Sequence, residues 1–122
     1  MSVVLSRERI PEGQASGGQP NEMDLRRVIR AIRDRARYRY VTPTVIAVAD
    51  GYLIRSPCCS RTVAADGSAI DVARLSWNET PPGWRLLRKD HRLDRWIEDS
   101  RHARLVDLFD RLNADPQKLF WQ

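Results

Sequence analysis

The chain has 122 residues, of which 42% are hydrophobic and 30% are charged, as expected for one globular domain. No apolar run approaches the roughly 18 residues of a membrane span, and the apolar start is too short for a signal-peptide core, so a cytoplasmic protein is predicted. The net charge is +5, with 19 Arg, 2 Lys and 16 acidic residues, which permits nucleic acid, an acidic protein or an anionic surface as partner.

The first twenty residues differ in composition from the rest of the chain. They are rich in Gly, Pro, Ser and Gln and hold only a short apolar patch, so residues 1–20 are predicted to be a disordered tail. Residues 21–122 are predicted to form a single α+β domain. Met23 stands where the structured part begins, and residues 1–22 are alternatively an over-extended gene start.

A helix is predicted near Asn21 to Arg37, with Asn21 as its N-cap. Apolar residues recur at helical spacing along one face: Leu25, Val28, Ile29, Ile32 and Ala36. The opposite face is strongly basic and carries Arg26, Arg27, Arg30, Arg33 and Arg37. Such a face indicates either a solvated helix surface or an anion-binding site, and both interpretations stay open.

The basic run continues into alternating basic and aromatic residues. Tyr38 and Tyr40 would project from one face of a strand, with Arg37 and Arg39 on the other. Aromatic and basic side chains together are typical of surfaces that stack single-stranded nucleic acid. Packing at the edge of the core is the alternative for both tyrosines.

Two Asp-Gly pairs predict two tight β-hairpins with type I′ turns, at Asp50-Gly51 and Asp66-Gly67. In a two-residue loop at the second pair, Val63 would face Ile70, and Cys59 would face Arg74. That register would place Val63, Ile70 and Val72 on the core face.

The rest of the chain predicts two further strands and a second helix. Trp84–Lys89 and Leu93–Glu98 would flank a tip at Asp90-His91. Ser100 is a candidate N-cap for a helix near Arg101 to Asn113, in which Leu105, Leu108, Phe109 and Leu112 form an apolar stripe. Asp115-Pro116 would begin a final turn that returns Phe120 and Trp121 to the core, although an exposed aromatic docking tag is an alternative.

Together these elements predict an α+β fold. It is an antiparallel β-meander of five or six strands, with the N-terminal and C-terminal helices packed on one face. The tryptophans that would form or rim the core are Trp77, Trp84 and Trp96.

Three residues are candidates for catalysis: Cys58, Cys59 and His91. Neighbouring cysteines are too close for an ordinary disulfide, and an arginine opposite Cys59 would favour its nucleophilic thiolate, although a buried, inert thiol is the alternative. A zinc site would also need His102, but adjacent cysteines do not match zinc-ligand spacing, so no metal or cofactor is predicted. His91 is interpreted as a solvated turn residue.

Several short segments resemble one family of bacterial proteins. They are Tyr38-Arg39-Tyr40-Val41, Ser56-Pro57-Cys58-Cys59-Ser60-Arg61, Ile70-Asp71, Gly83-Trp84-Arg85, Arg88-Lys89-Asp90-His91 and Ala114-Asp115-Pro116 with Phe120-Trp121. Over roughly Asp24 to Gln122, the chain is similar to domain-of-unknown-function family 3024. The resemblance implies a bacterial, cytosolic protein and supplies no catalytic residues.

The sequence favours a non-enzymatic binding module for nucleic acid or another acidic partner. The candidate residues are Arg26, Arg27, Arg30, Arg33, Arg37, Tyr38 and Tyr40. A protein-interaction or assembly subunit and a thiol enzyme using Cys59 are the alternatives, and the oligomeric state is left open.

Overall fold

The computed structural model describes residues 18–36, 41–57 and 69–121. Five antiparallel strands lie side by side in chain order: β1 Thr44–Val48, β2 Gly51–Pro57, β3 Ala69–Glu79, β4 Pro82–Asp90 and β5 Arg95–His102. Helix α1, Glu22–Ala31, and a 3-10 turn, Ile32–Asp34, precede the sheet, and helix α2, Leu105–Ala114, follows it. The predicted α+β meander with a helix at each end is confirmed. Within the described ranges, no helix is long and apolar enough to cross a membrane.

Helix α1 begins as predicted but ends early. The side chain of Asn21 accepts a hydrogen bond from the Asp24 amide at 2.8 Å, which caps the first turn. The α-helix stops at Ala31, and Arg35 is already extended. The Arg35 guanidinium donates to the carbonyls of Ile32 and Val41 at 2.8 and 2.6 Å. Its side chain thus hydrogen-bonds a carbonyl at the helix end that a further helical turn would have paired with a backbone amide.

The first hairpin forms one residue away from its predicted turn. Val48 pairs with Gly51, so the loop is Ala49-Asp50 and Gly51 is the first residue of β2. The type I′ prediction is wrong, because Asp50 has no positive φ. Gly51 is needed for a different reason: a Cβ there would overlap the carbonyl oxygen of Leu75 on β3.

The predicted register of the second hairpin is wrong. Ile70 pairs with Ser56 of β2, and Arg74 lies between Leu53 on β2 and Leu87 on β4. Arg74 therefore has no free edge for Cys59, which lies outside the described residues together with Arg61, Val63 and the Asp66-Gly67 turn. Strand β2 pairs with β3 at this position because its Tyr52 and Ile54 extend the buried face of β3.

The β4–β5 hairpin and the start of α2 also differ from prediction. Four residues, 91–94, form the hairpin loop, so Leu93 lies in the loop instead of in a strand. Ser100 and His102 belong to β5, which stays paired with β4 as far as Trp84. Helix α2 consequently begins at Leu105, and Ser100 is not its cap.

The core lies between one face of the sheet and the two helices. Sheet residues in it are Tyr52, Ile54, Val72, Ala73, Leu75, Trp84 and Leu86, and helix residues are Val28, Ile32, Leu105, Leu108 and Leu112. Phe120 and Trp121 are fully buried in the same cluster, so the docking-tag alternative is wrong. Trp77 packs against the core as predicted, whereas Trp96 lies outside the cluster with Lys89 over its ring.

Candidate functional site

Four arginines lie on the outer side of α1 and the turn that follows it. Arg26, Arg27, Arg30 and Arg33 are all exposed there, because Val28 and Ile32 turn the opposite side of the helix into the core. These four residues are called the arginine surface below. Arg37, Tyr38 and Tyr40, which were predicted to extend it, lie outside the described residues.

The charges of the arginine surface are only partly compensated. Arg26 pairs with Glu22 at 3.2 Å, where both side chains are 72% exposed, and Arg27 pairs with Asp24 at 3.4 Å. The exposed Arg26–Glu22 pair exchanges readily with other anions because water screens it, whereas Asp24 is buried. Arg30 and Arg33 make no ion pair within the described part of the chain. The surface therefore offers two cations without an ion pair, Arg30 and Arg33, beside one in an exchangeable pair, Arg26.

Apolar side chains are interspersed with these arginines. Met23 and Ile29 also belong to α1, and their side chains are 60% and 39% exposed. Met23 lines an open cavity of about 400 Å³ together with Arg26, Arg27 and Arg30. The arginine surface can thus make apolar contacts as well as charge-assisted hydrogen bonds.

The open face of the sheet is also rich in cations, but these are neutralised. Arg55 pairs with Asp71 at 2.9 Å, Arg74 pairs with Asp50 at 2.9 Å, and the Lys89 amine lies between Asp71 and Asp94 at 3.4 and 3.1 Å. An anion on this face would have to displace several carboxylates at once. The sheet face is accordingly a poorer polyanion site than the arginine surface.

The thiol hypothesis loses the arginine that was predicted opposite Cys59. Cys58 and Cys59 lie outside the described residues, but their predicted activator, Arg74, does not. The Arg74 guanidinium binds Asp50, and its strand neighbours are Leu53 and Leu87. The proposed arginine opposite Cys59 is therefore already engaged elsewhere.

The two histidines cannot share a metal ion. His91 lies in the β4–β5 loop and His102 ends β5, so a strand of eight residues, roughly 25 Å long, separates them. His91 is half-buried instead of solvated, and burial, with Lys89 nearby, lowers the pKa of its imidazole. In the described ranges, no group of three or more His, Cys, Asp or Glu side chains could hold a metal.

A polar network between β5 and α2 was missed by sequence reasoning. Asp99 accepts hydrogen bonds from Arg111 Nη2 and Nε at 2.8 and 2.9 Å, and from the Ser100 hydroxyl at 2.8 Å. Ser100 Oγ also lies 2.8 Å from His102 Nε2. Because the hydroxyl has one proton and Asp99 accepts it, His102 is not placed as the base of a Ser–His nucleophile. The network joins α2 to the sheet.

This network predicts an acid dependence of stability. The double hydrogen bond from Arg111 lowers the pKa of Asp99, so its contribution is present above the unfolded-state pKa and is lost as pH falls through the folded-state value. We expect Asp99→Asn to reduce the free energy of unfolding at pH 7 by roughly 2 kcal/mol. Its stability should also fall less steeply than that of the wild type below about pH 4, as measured by urea unfolding.

The matched control is Asp107→Asn, which removes the carboxylate of the exposed Arg104–Asp107 pair. This change should leave the acid limb almost unaltered. An Asp99→Asn protein with the same acid limb as the wild type would show that the buried pair does not drive the pH dependence.

The chain matches one known protein family over most of its length. The family model described as "Domain of unknown function (DUF3024)" matches residues 17–122. The chain belongs to this family. A search of curated proteins found no match, and neither did a search of solved structures. The family match covers the two helices and five strands of the described residues, including the arginine surface and the Asp99 network, but it assigns no chemistry to either.

Proposed function

We propose that this DUF3024 protein is a non-enzymatic nucleic-acid-binding module that contacts the phosphate backbone with its arginine surface. The observation that carries the proposal is the exposure of Arg30 and Arg33 without an ion pair in the described structure, next to Arg26 in a weak exposed pair with Glu22. Guanidinium groups bind phosphate oxygens with charge-assisted, often bidentate hydrogen bonds.

The spacing of the arginines suits a linear polyanion. Arg26 and Arg30 are one turn apart on α1, about 6 Å along the helix axis, and Arg33 continues the same side in the 3-10 turn. A nucleic-acid duplex carries a negative charge about every 1.7 Å along its axis, so several phosphates come within reach at once. No base-reading motif accompanies these residues, and binding should therefore be largely independent of sequence.

Salt dependence is the first test of this proposal. Three to five neutralised phosphates should give a plot of log affinity against log salt concentration with a slope of about −2.7 to −4.5 on duplex DNA. The measurement is fluorescence anisotropy of a labelled duplex titrated with protein at several salt concentrations. Absence of binding at low salt would contradict the proposal.

A second candidate is an acidic protein that carries apolar residues. It is favoured by the exposure of Met23 and Ile29 beside the arginines, since a phosphate backbone makes little use of apolar contacts. Binding to such a partner should persist at salt concentrations that abolish DNA binding, because apolar burial is not screened.

Tyr38 and Tyr40 stay predicted contacts for single-stranded nucleic acid.

A further inference from the structure

Strand β1 is one edge of the sheet, and its outer side has no backbone partner in the described ranges. The strand, Thr44–Val48, makes five consecutive pairs with β2, so it has no bulge, and it holds no charged residue and no proline. Edge strands without such protection readily pair with a further strand. From this edge we infer that the protein forms a homodimer in which the β1 strands of two copies pair antiparallel.

The opposite edge of the sheet, β5, is protected in the ways that β1 is not. Its charged side chains are Arg95, Glu98, Asp99 and Arg101. It also contains a bulge, because the pairs that Glu98 and Ser100 make with β4 leave Asp99 as an extra residue between them. Charges and bulges on an edge strand prevent pairing with another sheet. Of these two edges, β1 is therefore the one suited to a second copy.

The β1–β2 hairpin decides which backbone groups of β1 point outward. Val48 and Gly51 close a two-residue loop, and such a pair exchanges both of its hydrogen bonds. Hydrogen-bonded pairs alternate along an antiparallel ladder, so Ile46 also bonds to β2. The N–H and C=O groups of Val45 and Ala47 consequently point away from the sheet and are available to a second strand.

A twofold axis through Ile46 uses all four of these outward groups. It places Val45 opposite Ala47 of the second copy, and each such pair exchanges two hydrogen bonds. A shift of two residues one way would set Ala47 opposite Pro43, which has no N–H. The opposite shift would set Val45 opposite Ala49, which lies in the turn. The centred register is also isologous, as a closed dimer requires.

The same register joins apolar side chains on the open face of the sheet. Ile46 is 42% exposed and pairs with Leu53, on the face opposite the buried Tyr52 and Ile54. At the twofold axis Ile46 lies opposite Ile46 of the second copy as a non-hydrogen-bonded pair, in which side chains come closest. Leu53 and Ile46 of each copy would then form one apolar row of four side chains across the interface.

The dimer has a salt dependence opposite to that of nucleic-acid binding. The twofold axis of an antiparallel pair is perpendicular to the sheet, so the helices of both copies lie on the same side of the joined sheet. Helix α1 packs against β1, which brings the two arginine surfaces near each other. Because salt screens their repulsion, dimerisation should strengthen as salt rises. The inference rests on the sheet edge and is independent of the proposed DNA binding.

Sedimentation velocity of the full chain, without nucleic acid and at raised salt, is the first test. The interface is smaller than that of a standard stable complex, so the dimer should form at micromolar protein concentrations and dissociate on dilution. Ile46→Lys should remain monomeric, because two like charges would face each other. Leu93→Lys, the same change at an exposed position of the β4–β5 loop, should dimerise like the wild type. A wild type that is monomeric at every concentration would overturn the inference.

Disulfide trapping tests the register. With Cys58→Ser and Cys59→Ser as background, Ile46→Cys should cross-link to its own copy when oxidised glutathione accepts the electrons. Opposed residues of a non-hydrogen-bonded pair have Cα atoms about 4.5 Å apart, within disulfide range. Thr44→Cys is the control, since it would lie roughly 14 Å from its own copy in the dimer. Equal cross-linking yields from the two variants would count against the centred register and the dimer.

A proline at Ala47 tests the backbone pairing itself. The Ala47 amide makes no bond to β2, so the fold of Ala47→Pro, checked by circular dichroism, should persist. Two of the four hydrogen bonds between the copies are lost, and dimerisation should weaken by about tenfold or more. A folded Ala47→Pro protein that dimerises as tightly as the wild type would show that the β1 edges do not pair.

Discussion

Replacement of Asp115 by alanine should lower the free energy of unfolding by about 3 to 5 kcal/mol. Asp115 is fully buried, and its carboxylate accepts hydrogen bonds from the amides of Leu119 at 2.7 Å, Phe120 at 3.2 Å and Trp121 at 2.8 Å. Without it, the two buried amides lose this acceptor, and the segment that seats both aromatic residues in the core is released. Guanidinium-induced unfolding at neutral pH measures the loss.

Asp115→Asn is the matched control. Asp115 has φ 36, in the left-handed region, where Asn is tolerated better than Ala. An asparagine also keeps one carbonyl oxygen as an acceptor, so about half of the loss in unfolding free energy should be avoided. An alanine variant within about 0.5 kcal/mol of the wild type would show that the carboxylate does not hold the C-terminal segment.

The helices and the C-terminal turn could be predicted from the sequence because their determinants are local. The spacing of Val28 and Ile32 marks the buried side of α1, and Leu105, Leu108 and Leu112 mark that of α2. Asn21 acts on an amide three residues away, as an N-cap does by its nature. The exposed positions of the four arginines in this segment follow from the same helical period.

Strand pairing could not be predicted because it depends on contacts between distant residues. The Asp66-Gly67 pair suggested a local hairpin, but β3 pairs with β2 from Gly51 onward, through an extra β3 residue between the pairs of Ile54 and Arg55. A turn signal in the local sequence carries no information about this longer β2–β3 pairing. The predicted boundary between β5 and α2 was wrong for the same reason. Ser100 is a favourable N-cap residue in the local sequence, but in the structure it is a strand residue paired with Leu86.

The candidate site was only partly accessible to sequence reasoning. The arginines were found, but the ion pairs that neutralise the sheet face depend on side chains that only the fold brings together, as with Arg55 and Asp71.

Charge reversal of the arginine surface should have the largest effect on binding. In the variant Arg26→Glu, Arg30→Glu, Arg33→Glu, three cations that face phosphate become anions that repel it, so DNA affinity at low salt should fall by on the order of 100-fold or more. The fold should persist because all three side chains are exposed. Circular dichroism and the unfolding midpoint check this before binding is measured by anisotropy.

The control must change the net charge equally without touching α1. Arg92, Arg95 and Lys118 are exposed, and Arg92 and Arg95 lie at the β4–β5 tip, so their replacement by Glu reproduces the charge change on another surface. Long-range attraction should decrease equally in both triple variants, whereas direct phosphate contacts are lost in only one.

Anisotropy titration of one labelled duplex at low salt, with wild type and both triple variants side by side, tests the central claim most directly. The account predicts that the Arg26, Arg30, Arg33 variant loses binding while the Arg92, Arg95, Lys118 variant keeps most of it, with a salt slope close to that of the wild type. Equal loss in the two variants, or wild-type affinity in the first, would contradict it.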